Sequence, residues 1–371
     1  MLEGIIFVVI ALVLLMLIRF TYQIRTLETN AHKETQDEKI QHHYGITQGL
    51  IYTSIVLVIG ISIWYVWILV KGTPWEGHLM EWLNIVVRLM HITFGIAWIG
   101  ASFYFVFLEN ALNRTENVRE ELAGNLWAVH GGGFYYLEKY KVAPKTIPKH
   151  LHWFKYEAYF TWLSGFSLLF VVYYFNASAM LIDPQVLKMS ALVGIGIGVG
   201  SLITAWLIYD ILCKSPLKNN PILFGILGIA LVTAFAFFYT QVFNARAAYI
   251  HFGAMLGTLM AGNVFFVIIP AQKAMVNAAK AGLPVDPSKG KNALARSIHN
   301  NYFTLPVLFV MISNHFPSTF GYTYPWALLA IITLGTAGVK HYLNLKEKGQ
   351  YTVLVLPVSI LILLSAAFIS A

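Results

Sequence analysis

Ten apolar stretches leave this chain little choice of fold. They lie at about 4–20, 48–70, 82–108, 158–175, 189–212, 222–241, 247–270, 302–316, 324–340 and 352–370. Roughly 20 apolar residues in a helix match the hydrocarbon thickness of a bilayer, and 302–316 is the one that falls short. No water satisfies a backbone inside lipid, so each stretch is expected to close its own hydrogen bonds as a helix. Only 11% of residues are charged, against roughly 25% in soluble domains. The expected fold class is therefore all-α: a polytopic transmembrane bundle forming a single integral membrane domain over 1–371.

The basic residues fix an orientation. Taking the connections in order, the odd ones hold 21 of the 25 Lys and Arg and the even ones hold three, with Arg88 inside a span. Basic connections stay cytoplasmic. The alternation thus supports ten spans with both termini outside, and it accounts for the net charge of +8 without a nucleic-acid partner. The start, MLEG, has no basic region and no small-residue cleavage site follows, so the first stretch is not read as a cleaved signal. Cys213 is the one cysteine, which excludes an intrachain disulfide, a four-cysteine iron–sulfur site and covalent haem c.

Three places break the apolar pattern. The first is Arg88 and His91, one helical turn apart in the third stretch, where an ionisable residue marks a functional site by default. Gly95 continues the same face. A glycine-cleared face beside a histidine would accept a haem plane, with His91 as iron ligand and Arg88 against a propionate. His251 and His315 are the candidates for a second ligand. The second place is the connection 110–157. It holds WAVHGGGFYYLEKY, with His130 before Gly131, Gly132 and Gly133, and then His150 and His152. The glycines can present amides to an anion, and the aromatics can stack on a planar ring. The third is RSIHNNYFTLPVLFVMISNH, with Arg296, His299, Asn300, Asn301 and Tyr302 at the inner end of the eighth stretch and Pro306 within it. Asp210 is expected to pair with Lys214 at i+4.

These motifs, with IHFGAMLGTLMAGNVFFVIIP and HLHWFKYEAYFTWLSGF, resemble the bacterial membrane-bound urate oxidase family over about 82–341. The resemblance implies oxidation of urate to 5-hydroxyisourate coupled to respiration. Family members carry a C-terminal cytochrome c domain, and none follows the stretch 352–370 here. Electrons would then pass to a separate cytochrome c or a quinone. Under this reading His130 or His152 is the catalytic base, Gly131 to Gly133 cradle the anion, and Arg296 and Asn300 hold the ring edge. Haem b would sit on His91. The alternatives are a haem-binding electron-transfer subunit and a purine or anion transporter.

Overall fold

The computed structural model describes residues 51–371 apart from Tyr52, Thr53, Val56, Ile59, Ile63, Lys145, Lys149, His150 and Tyr351. The expected span 4–20 and the candidate His150 lie outside the described residues. The chain divides into two units, Met1–Trp82 and Leu83–Ala371. The first holds a short apolar helix, Gly60–Val70. The second carries the hairpin and nearly all of the long helices.

Helix α1 runs from Pro74 to Ala111. Then come a hairpin of β1, Leu122–His130, and β2, Gly133–Tyr140. Helix α2, Tyr156–Leu168, continues through a π-turn, Leu169–Tyr174. Next are α3, Ala191–Lys214, and α4, Pro221–Val242. Helix α5, Ala245–Gly262, passes through a second π-turn, Asn263–Ile268, into α6, Ile269–Lys280. The chain ends with α7, Pro287–Ser313, α8, Pro325–Glu347, and α9, Val355–Ile369. Five of these rods are long and apolar enough to cross a membrane: α1, α3, α4, α5 with α6, and α8.

Helix starts follow local chemistry. Asn220 accepts the Leu223 N–H ahead of Pro221, and Asn244 accepts the Ala247 N–H while donating to the Met180 carbonyl. Asp286 caps α7, and the Ser288 hydroxyl and N–H hold its carboxyl below the usual carboxylate range. Helix α5 is buried on nearly every side and packs against α3, α4 and α7. Small residues such as Ala247, Ala248 and Ala261 let its neighbours come close.

The structure differs from the sequence reading in two places. Expected connection 271–301 is largely helix, because α5 continues to Lys280 and α7 begins at Pro287. Hydropathy marks only the apolar part of a helix; these extensions are rich in Ala, Lys and Asn and project past it. The HGGG segment is the turn of an antiparallel hairpin, pairing His130 with Gly133. Gly131 and Gly132 take φ of 59° and 80°, the left-handed pair that a tight two-residue turn needs. The base of the hairpin is tied to the end of α1 through two backbone bonds between Asn113 and Asn125. Its tip is bare: Trp127, Val129 and Phe134 are 67%, 67% and 79% exposed. Alanine at Gly131 or Gly132 is expected to cost about 1 kcal/mol each in hairpin stability. Hydrogen exchange of the β1 and β2 amides would report it, and unchanged protection would show that the turn tolerates a side chain.

Candidate functional site

A buried polar network links α3, α5 and α7. Arg296 is 2% exposed yet fully engaged. It donates to Asp210 Oδ1 at 2.6 Å and to Asn263 Oδ1 at 3.1 Å, and it lies 5.1 Å from the Tyr209 ring. Asp210 also takes the expected bond from Lys214, at 2.5 Å. Asn263 donates onward to the Tyr209 hydroxyl at 2.9 Å and to Asn300 Oδ1 at 2.8 Å, and Asn300 donates to the Met260 carbonyl. The Tyr209 hydroxyl meets His299 Nδ1 at 2.8 Å. Asn263 opens the second π-turn. Such bulges recur at functional sites because they re-aim a side chain off the regular helical register.

Beside this network opens a cleft of about 970 Å³, walled by α1, the segment 151–154, α5, α6, α7 and α8. That is at the upper end of the usual range for small-molecule sites, roughly 300–1,000 Å³. Trp98, Trp153 and Phe154 supply aromatic faces. Asn300, Asn301, Asn344, Asn110 and Gln272 supply side-chain amides. Two histidines reach it: His152, edge-on to Phe154, and His341, whose Nδ1 lies 2.6 Å from the Tyr302 hydroxyl. Asn301 donates to Asn344 Oδ1 at 2.9 Å. Its own Oδ1 is buried and has no partner among the described residues. An unpaired buried acceptor costs about 1–3 kcal/mol, and this one is sealed in the packing of the cleft wall.

The cleft gathers some of the residues expected from the sequence and leaves others apart. His152 and Asn300 line it. Arg296 does not; it faces a second cavity on the other side of the network. His130, Gly131 and Gly132 are exposed at the hairpin tip and, with Gly133, are absent from the cleft lining. The sequence reading gave no role to His341, Asn344, Asn110 or Gln272. The signal for His341 and Asn344 was a polar pair one turn apart in the polar end of a helix whose first half is apolar.

His91, His251 and His315 are not brought together. His91 Nδ1 lies 3.0 Å from the Thr161 carbonyl and 3.2 Å from Ser164 Oγ. A carbonyl only accepts, so Nδ1 carries the proton and Nε2 keeps its lone pair. Gly165 makes room for this ring: a Cβ there would sit 2.8 Å from His91 Cε1. Gly95 faces Thr161 across the same contact. His251 is fully buried, donating from Nδ1 to the Ala247 carbonyl and accepting at Nε2 from the Tyr174 hydroxyl. Tyr174 lies nine residues beyond Gly165, roughly 14 Å of helical rise. His315 is exposed in the turn after α7. Arg88 donates to Asn84 one turn away. These residues do not fit a haem held between His91 and His251, since both ring nitrogens of His251 are engaged; His91 keeps Nε2 free of protein partners among the described residues, and His315 is exposed in its turn. Alanine at Gly165 is expected to displace the His91 ring and cost about 1–3 kcal/mol. A thermal melt in detergent tests this, and an unshifted midpoint would mean that α1 and α2 separate freely.

Residues 77–371 match the family model described as urate oxidase N-terminal. No curated protein and no solved structure matches the chain. The match covers most of the sequence and spans every helix that walls the cleft, so this chain belongs to the urate oxidase N-terminal family.

Proposed function

We propose that the cleft binds urate, or a closely related purine anion, and that the protein is a membrane oxidoreductase for it. One observation carries the reading: the cleft combines aromatic faces with several side-chain amides along its wall. A planar purine trione offers ring faces to stack and alternating N–H and C=O groups at its edge. Amides match that edge because each carries both a donor and an acceptor.

Oxidation of urate adds water at one ring carbon and releases two electrons and two protons to give 5-hydroxyisourate. His152 and His341, which line the cleft, take the protons in this reading. Proton removal by a positioned side chain is typically worth 10²–10⁴-fold. The electrons leave for a separate acceptor, a cytochrome c or a quinone. By the charge alternation the cleft opens to the cytoplasm.

The test is tryptophan fluorescence of the purified protein titrated with urate, followed by turnover with a soluble quinone. Saturable quenching that vanishes on Asn301→Leu supports the cleft, and quinone reduction dependent on urate supports the chemistry. Quenching unaffected by Asn301→Leu would move the purine elsewhere. Binding without turnover under any acceptor would favour transport.

A further inference from the structure

On the far side of the polar network lies a second cavity of about 580 Å³, between α3, α6 and α7. Its lining includes Lys214, Lys289 and Arg296 and one carboxylate, Asp210. Asp210 already accepts from both Arg296 and Lys214, and Arg296 is locked in place. The surplus positive charge therefore rests on the two lysines. Lys214 is 71% exposed and Lys289 is exposed as well. Lys289 can turn toward an anion, and Lys214 can do so by leaving Asp210 to Arg296. Asn292 adds an amide donor.

The cavity sits where helices leave the membrane. Lys214 is the last residue of the apolar α3, and Lys289 stands in the first turns of α7. The other part of its wall is apolar. Trp206 and Phe266 stack with centroids 5.5 Å apart, and Phe266 is 60% exposed, next to the equally bare Phe265, Ile203 and Leu207. A cationic pocket opening onto an aromatic, lipid-facing flank matches a ligand with an anionic head and an apolar body. Basic pockets between helices at this depth select acidic headgroups over zwitterionic ones.

We propose that this cavity is a site for a phosphate-bearing anion, filled in the membrane by the headgroup of an acidic phospholipid. The phosphate meets Lys214, Lys289 and Asn292, and the first acyl carbons lie along Trp206 and Phe266. The site is separate from the purine cleft and does not depend on the proposed reaction.

Native mass spectrometry of the detergent-purified full chain would test it. Phosphatidylglycerol and phosphatidylcholine are added in turn, to wild type and to the double variant Lys214→Gln, Lys289→Gln. Both lysines are exposed, so the variant is expected to fold, and an unchanged melt would confirm that. The expected result is retention of one phosphatidylglycerol per chain, weakened by roughly tenfold in the variant, with phosphatidylcholine unaffected. Lysine-dependent binding of millimolar inorganic phosphate, with no phosphatidylglycerol retained, would keep the phosphate site and reject the lipid as its occupant. Equal lipid retention by wild type and variant, with no competition from phosphate, would overturn the proposal.

Discussion

Glutamine at His152 or His341 is expected to lower urate turnover by roughly 10²–10⁴, with a much smaller change in KM. Glutamine keeps a hydrogen-bonding end of similar reach but cannot take a proton at neutral pH. Binding through the Asn300 and Asn301 amides and the aromatic faces should therefore survive while the chemical step fails. The informative control is His130→Gln. His130 belongs to the same stretch of sequence as His152 and carried the same expectation there, yet it sits at the exposed hairpin tip while His152 lines the cleft. Its replacement is expected to leave turnover within about twofold, since His130 does not line the cleft. Steady-state kinetics on the three variants decides the matter. A large loss at His130 with little at His152 and His341 would place the reaction at the hairpin instead of the cleft.

Methionine at Arg296 is expected to destabilise the folded protein by about 3 kcal/mol. The reason is less the lost attraction than what is left behind. Asp210 would keep only Lys214, on its exposed side, and the buried Asn263 Oδ1 would lose its donor. The companion change Asp210→Asn removes the stranded charge, so the double variant should recover more than half of the loss. Thermal unfolding of the four proteins of this cycle, in one detergent, measures the coupling. A double variant that melts no higher than Arg296→Met would show that Arg296 acts by filling space and not through its carboxylate partner. Because Asn263 also bonds Asn300 in the cleft wall, the single variant is expected to weaken purine binding as well.

The first prediction rests on residues that sequence could name but not sort. His130 and His152 are 22 positions apart, and both sit among glycines and aromatics that suit a planar anion. What separates them is a hairpin, closed by two left-handed glycines, that carries His130 away while the following segment turns back against α1 and α7. The same holds for the expected haem ligands. His91 and His251 share the outer half of the bundle by hydropathy, but helix packing gives each its own partner, Thr161 for one and Tyr174 for the other.

The sequence by itself determined the helical class, the positions of the apolar segments, the alternation of basic connections, the Asp210–Lys214 pair and the family. Each of these depends on residue type at short range: a run long enough to cross lipid, charges at its ends, a pair one turn apart, motifs read in order. Tertiary structure alone decided the cleft and the network beside it. His341 and Asn344 meet Asn301 and Tyr302 only because α8 lies along α7, about 40 residues later in the chain. Arg296 finds Asp210 across 86 positions for the same reason. A buried polar group must be satisfied by whatever helix packing places beside it, and no local pattern in the chain records which helix that will be.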